Sequence, residues 1–183
     1  MSQASPTDFS GKLARLQRRF LGVGAAGALL MGLGFFLDRE RFFQAYLTAY
    51  LYVLGPALGA LALAMLHNVT GGAWGFAIKR LLEAAMRTLP FVALFFLPIV
   101  LGIHQLYEWS HGSVMAADPI LHHKAAYLNV PFFLARAGLY FGLWAGLALF
   151  LVKLAERYDR KLSLKALRKL KTTSAFGLAA YVL

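Results

Sequence analysis

The chain has 183 residues, of which 60% are hydrophobic and only 15% are charged, and its formal net charge is +11. This composition excludes an ordinary soluble domain, because four long stretches carry almost no charge and are long enough to cross a bilayer. The absence of cysteine excludes disulfides, thiolate metal sites and cysteine-ligated iron–sulfur clusters in this chain.

Apolar runs organise the chain after its first 19 residues, which are polar and end in a basic cluster. At about 1.5 Å per helical residue, a run of about 20 residues crosses a hydrocarbon core of roughly 30 Å. We therefore predict an all-α, polytopic transmembrane helical bundle, with a basic N-terminal segment over residues 1–19 and one transmembrane domain over residues 20–183. The predicted spans are residues 20–37, 42–66, 89–107 and 132–152, and residues 175–183 start a fifth. Because that last run covers only part of the core, we interpret the sequence as an N-terminal fragment of a longer chain.

Proline and glycine residues predict irregularities in the second and third spans. Gly55-Pro56 lies near the middle of the second span and predicts a kink, and Pro98 interrupts the third span. Between these spans, residues 73–88 place apolar and charged side chains on opposite sides at helical spacing. This pattern predicts one amphipathic helix that lies in the membrane interface.

The fourth span has a clear start and a stripe of small residues. Asn129 and Pro131 lie where the helix would begin, since proline fixes φ and needs no donor in the first turn. Gly138, Gly142 and Gly146 recur every four residues, on one face of the helix. We expect this face to pack against another helix, in this chain or in a partner, because small residues let two backbones approach closely.

A polar segment, residues 108–131, precedes the fourth span and contributes most of a candidate polar cluster. The cluster comprises Glu108, Asp118, His122, His123 and Arg136. Arg136 lies about one turn inside the span, where a charge is costly, so we expect an ion pair with Glu108 or Asp118. Snorkelling to the interface, a proton relay, and binding of a quinone carbonyl or an anionic headgroup are the alternatives for Arg136. No spacing typical of a metal site occurs, and no catalytic residue is identified.

The basic residues divide unequally between alternate ends of the spans. Residues 1–19, 67–88 and 153–174 hold fifteen of the 19 lysines and arginines, whereas residues 38–41 and 108–131 hold three. Basic residues are enriched on the cytoplasmic side of membrane proteins. We therefore predict a multi-pass membrane protein with a cytoplasmic N-terminus. The net charge then indicates contact with anionic lipids rather than with nucleic acid.

Two stretches resemble one family of membrane subunits. They are LHNVTGGAWGFAIKR at residues 66–80, with Glu83 and Pro90, and HHKAAYLNVPFFLAR at residues 122–136, with Tyr140, Phe141 and Trp144. Residues 106–109 (LYEW) and Asp118-Pro119 fit the same pattern. The stretches are similar to the F subunit of alternative complex III, a bacterial quinol:cytochrome c oxidoreductase.

The resemblance implies a fold, partners and a role. It implies a polysulfide-reductase-like (NrfD-type) helical subunit that serves as a scaffold and as a candidate proton path, and that is not catalytic alone. Quinol oxidation in that family is assigned mainly to a sister subunit, so a quinone is expected nearby. Haem c and iron–sulfur clusters are expected in partner subunits, and no cofactor in this chain.

Two other classes of function fit the composition. One is half of a secondary transporter, because Gly55-Pro56 and Pro98 could mark broken helices at a binding site near the middle of the bilayer. The other is a structural membrane module with no redox role. The sequence shows no convincing internal repeat, which a transporter built from two similar halves should have.

The charge distribution makes the topology testable with introduced cysteines, since the chain has none of its own. We expect a membrane-impermeant thiol reagent to label Ser113→Cys but not Ser163→Cys in whole cells. Both cysteines should react after the membrane is opened, which controls for reactivity. Labelling of Ser163→Cys alone in intact cells would reverse the predicted orientation.

Overall fold

A computed structural model describes residues 6–75, 77–117, 119–161 and 164–182. Every regular element in this part of the chain is helical, and four helical segments are long and apolar enough to cross a membrane. The predicted all-α membrane architecture is therefore confirmed. The helices are α1 Pro6–Leu37, α2 Arg39–Thr70, α3 Lys79–Met86, α4 Leu89–Leu94, α5 Leu97–Leu101, α6 Ile103–Leu106, α7 Gly112–Ala117, α8 Pro119–His123, α9 Val130–Lys161 and α10 Leu164–Val182, with a 3₁₀ turn at Glu108–Ser110.

The chain divides into two compact units, Met1–Gln44 and Ala45–Leu183, and the predicted single domain over residues 20–183 stays a prediction. In the first unit, α1 begins at Pro6, so helix also covers most of the segment predicted only as polar. Asp38 caps α2, because its Oδ1 accepts a hydrogen bond from the Arg41 amide at 3.1 Å. The ring of Phe35 packs edge-on against those of Phe42 and Phe43.

The third spanning segment is broken at the position that Pro98 predicts. Proline has no amide hydrogen, and helix stops at Leu94 and resumes at Leu97. The Ile99 amide bonds the Phe96 carbonyl at 3.0 Å, which leaves the Phe95 carbonyl without its regular helical donor. The Tyr46 hydroxyl of α2 donates to that carbonyl at 2.7 Å. Helix α2 continues through Pro56 without a break, and the predicted kink there stays a prediction.

The amphipathic helix is present, but it is shorter than predicted. Gly71 and Gly72 adopt left-handed φ values of 73° and 92°, so residues after α2 form a turn and α3 begins at Lys79 rather than at residue 73. Its apolar face is buried through Leu82 and Met86. The helix therefore packs against the bundle with one face and carries its charges on the other.

Ion pairs join α3 to the C-terminal part of α9. Lys79 Nζ lies 2.7 Å from both carboxylate oxygens of Asp159, and Arg87 pairs with Glu156. Asn68, near the end of α2, donates to Ser174 Oγ of α10 at 3.0 Å. Two of the basic segments that the sequence assigns to one side, residues 67–88 and 153–174, thus meet at the same end of this unit.

The core of the second unit forms where α2, α3, α4, α9 and α10 meet. Helix α9 starts at Val130 as predicted, because Asn129 Oδ1 accepts from the Phe132 amide at 2.9 Å and caps the helix. Helix α10 includes basic residues as well as the predicted fifth apolar run, and it turns back along α9. The most buried side chains include Leu61, Met65, Leu89, Ile99, Leu151 and Ser174.

The glycine stripe of α9 meets no neighbour within the described part of the chain. A Cβ atom added at Gly138, Gly142 or Gly146 would have no heavy atom of another segment within 4 Å. A helical glycine with a close neighbour is instead Gly177 of α10, where an added Cβ would lie 2.7 Å from the sulfur of buried Met65. Packing of the α9 stripe against a partner chain stays a prediction.

A matched pair of substitutions tests this difference between the two glycines. Both Gly177→Leu and Gly142→Leu gain the helix propensity of leucine, about 1 kcal/mol each, so their difference reports packing. We expect Gly177→Leu to lower the free energy of unfolding by about 1–3 kcal/mol through overpacking. Gly142→Leu should unfold at or above the parent temperature in detergent. Equal melting temperatures for the two variants would contradict the close approach of α10 at Gly177.

Candidate functional site

The second unit contains a cavity of about 310 Å³ between α2, α9 and the broken third segment. Its lining is almost entirely apolar and rich in aromatic rings, and a single charged residue among those that the structure describes contributes to it. The lining residues are Leu47, Tyr50, Leu51 and Leu54 of α2, Phe96 and Tyr107 of the third segment, Tyr127, and Phe133, Arg136, Ala137, Tyr140, Phe141 and Trp144 of α9.

Helical periodicity brings these residues to the cavity. The four residues of α2 are spaced i, i+3, i+4 and i+7, and those of α9 extend the same pattern over three turns. Both sets come from the N-terminal halves of their helices, so the two helices enter this region from the same end. The cavity therefore lies within the spanning part of the unit, toward the end that carries residues 102–129.

Phe96 is at the centre of the aromatic packing. Its ring centroid lies 5.9 Å from that of Tyr50, 5.1 Å from Phe141 and 6.1 Å from Phe133. These are ordinary distances for offset or edge contacts between rings. The contacts continue from Phe133 to Tyr107 and from Phe141 to Trp144, so aromatic rings cover the cavity along its length.

Tyr50 carries a buried hydroxyl group that has no hydrogen-bond partner. The residue is 6% exposed, and its hydroxyl oxygen meets neither solvent nor an acceptor among the described residues. A buried polar group without a partner costs about 1–3 kcal/mol, so such groups are few in folded proteins. Tyr46, one turn earlier on the same helix, differs because it donates to the Phe95 carbonyl.

Among the described residues, Arg136 contacts aromatic rings and pairs with no carboxylate. Its guanidinium carbon lies 3.7 Å from the ring centroid of Tyr127 and 4.8 Å from that of Phe132. Such cation–π contacts stabilise a cation where water is scarce. The predicted pair with Glu108 is not formed: in the described part of the chain no carboxylate lies within 4.0 Å of Arg136. Glu108 is exposed on a 3₁₀ turn, while Tyr127 and Phe132 are next to the guanidinium.

The other members of the predicted polar cluster are dispersed. His122 and His123 are exposed in the last turn of α8, and no hydrogen bond or ion pair joins them to Glu108 or Arg136 in the described structure. Asp118 lies outside the described residues. His104, which is not a member of the predicted cluster, has its Nδ1 atom 3.0 Å from Ser110 Oγ. Among the described residues, no group of three or more metal-ligating side chains is close enough to hold an ion.

The cavity is not predicted by the charges and glycines of the sequence. Of its lining residues, Arg136 alone is a predicted site residue, and Tyr140, Phe141 and Trp144 belong only to the family resemblance. The signal was available, because Phe133, Tyr140, Phe141 and Trp144 recur on one face of α9. That aromatic face is distinct from the glycine face.

Comparison of the chain with protein-family models and with curated proteins finds no match.

Two tyrosines one helical turn apart allow a controlled test of the unpartnered hydroxyl. Tyr46→Phe removes a hydrogen bond to a backbone carbonyl and should lower the free energy of unfolding by about 0.5–1.5 kcal/mol. Tyr50→Phe removes a buried hydroxyl without a partner and should leave stability unchanged or raise it by about 1 kcal/mol. Thermal unfolding in detergent measures both. A larger loss for Tyr50→Phe than for Tyr46→Phe would show that the Tyr50 hydroxyl has a structural partner.

Proposed function

We propose that this chain is an integral membrane subunit of a quinol-oxidising respiratory complex similar to alternative complex III. In this role it is a scaffold in the bacterial inner membrane, with its N-terminus in the cytoplasm, and it is not catalytic alone. The partner subunits would carry haem c and iron–sulfur clusters. The resemblance of residues 66–80 and 122–136 to the F subunit of such complexes motivates this choice of complex.

The aromatic cavity is the observation that carries the proposal. It lies within the spanning helices, its walls are apolar rings, and it has room for a small ring system. Pockets of this kind, with few polar groups among apolar side chains, are typical of sites for small lipophilic molecules. Such a surface fits a subunit that lies beside the site of a membrane-soluble electron carrier in a sister subunit, whereas a purely structural membrane module has no use for one.

The exposed apolar faces of the chain support a place among other subunits. The glycine face of α9 has no neighbour within 4 Å in the described part of the second unit. In a membrane, such faces contact either lipid or another helix. Small residues on a face, as at Gly138, Gly142 and Gly146, favour another helix because they permit close backbone approach.

The broken third segment favours a second candidate, half of a secondary transporter. Transporter sites commonly lie where spanning helices are interrupted, and α4, α5 and α6 are three short helices in one segment. The cavity lining argues against this candidate. A site for a polar substrate or ion needs more polar groups than Arg136, Tyr50 and the other tyrosines of this cavity supply. The respiratory subunit is therefore the preferred function.

Affinity purification from native membranes tests the proposed function. We expect a tagged chain, extracted in mild detergent, to co-purify with polypeptides that show the absorbance of c-type haem and with quinol:cytochrome c oxidoreductase activity. An unrelated multi-pass protein with the same tag is the control for haem proteins that bind non-specifically. Recovery of the chain alone, or with partners that contain no haem, would contradict the proposal.

A further inference from the structure

The guanidinium group of Arg136 lies near the start of α9, although the backbone of this residue is in the second turn. Side chains of a helix lean toward its N-terminus. The guanidinium contacts the ring of Tyr127, which precedes α9, and the ring of Phe132 in the first turn. Both rings are exposed, and tyrosine is enriched at the level of the lipid headgroups. We therefore place the positive charge at the membrane interface, with the aromatic cavity extending from it into the spanning part of the unit.

The aromatic cavity is elongated and open to the lipid. Its lining on α9 runs from Phe133 to Trp144, a distance of about 16 Å at 1.5 Å per residue. Leu51 of α2 lines the cavity and is also 55% exposed, so the cavity reaches the lipid-facing surface. The rings of the wall already pack against one another, as Phe96 does against Phe141. A space of this shape fits a flexible apolar chain along its length.

The charge at the mouth of the cavity defines the head of the ligand. In the described part of the chain, Arg136 is the one charged residue of the lining, and its contacts are the two aromatic rings. A guanidinium that lies over ring faces keeps its edge N–H groups free, and such groups bind phosphate oxygens in pairs. The described lining has no carboxylate to receive the ammonium group of a zwitterionic headgroup. The complementary head is therefore a phosphate with one net negative charge.

We propose that the aromatic cavity binds one anionic phospholipid, with its phosphate on the Arg136 guanidinium and one acyl chain along the cavity toward Trp144. The bilayer itself supplies both parts at this depth, since the phosphates of its lipids lie at the interface and their chains lie below it. The second acyl chain remains in the surrounding lipid. This site does not depend on the proposed function, because a lipid of the membrane would occupy it whatever complex the chain belongs to.

Photolabelling in vesicles tests the headgroup contact. The full chain is reconstituted in phosphatidylcholine vesicles with increasing fractions of phosphatidylglycerol that carries a photoreactive group in one acyl chain. We expect saturable labelling of peptides that contain residues 47–54 and 133–144, whereas phosphatidylcholine with the same group should label them without saturation. Arg136→Met should raise the half-maximal fraction about tenfold, because charged hydrogen bonds to the phosphate are lost. Lys124→Met removes an exposed charge that precedes α9 and should leave that fraction unchanged.

Two nearby alanines of α9 test the contact with the acyl chain. Ala137 lines the cavity, whereas Ala135 is exposed and is not among the described lining residues. We expect Ala137→Phe to fill part of the cavity and to lower the saturable labelling severalfold. Ala135→Phe adds the same ring outside the cavity and should label like the parent.

Several results would overturn the site. They are labelling by phosphatidylglycerol that does not saturate, equal half-maximal fractions for Arg136→Met and the parent, and equal labelling of the two alanine variants. Competition by oleate as strong as that by unlabelled phosphatidylglycerol would assign the cavity to a fatty acid instead, and competition by inorganic phosphate would assign it to phosphate alone. The comparison of the two lipids needs only the parent chain, so it remains decisive if a variant fails to fold. Co-purification of c-type haem tests the proposed function separately from all of these results.

Discussion

The break before Pro98 creates a specific contact between α2 and the third segment of the second unit. A helix buried in a bilayer must satisfy its backbone groups internally or through neighbouring side chains, because lipid offers no hydrogen bonds. Pro98 leaves the regular pattern incomplete, and the Tyr46 hydroxyl satisfies the Phe95 carbonyl that this irregularity frees. The bond joins α2 to the third segment at the break. Phe96, the next residue, thereby lies among the rings of Tyr50, Phe133 and Phe141.

The charged side chains at the two ends of this unit are stabilised by different kinds of contact. At the end that carries α3, opposite charges meet directly, since Lys79 binds Asp159 and Arg87 binds Glu156. These side chains are partly exposed, so each pair adds little stability by itself but helps to define which faces meet. At the other end, Arg136 lies against aromatic rings. A cation–π contact leaves the N–H donors at the edge of the guanidinium available, whereas a bidentate carboxylate pair would occupy two of them.

The different faces of α9 have different surroundings. The face with Phe133, Tyr140 and Trp144 turns toward the cavity, and Ala148, Leu151 and Val152 continue into the core. The glycine face has no neighbour in the described chain. One helix thus lines the cavity, contributes to the core and leaves a third surface without a neighbour in the described chain.

The sequence by itself determined the features that depend on local chemistry. Long uncharged runs predict spanning helices because an unpaired backbone group in lipid is so costly, and Asn129 and Pro98 predict where helix starts and breaks because they act on adjacent backbone groups. Only the tertiary structure decided three other features. They are the partners of Arg136, the glycine that α10 places against Met65, and the cavity around Phe96. These features join residues distant in sequence, and their geometry depends on how each helix is rotated about its own axis. A charge in a span requires compensation, but whether a carboxylate or an aromatic ring supplies it depends on which side chain the fold brings nearest.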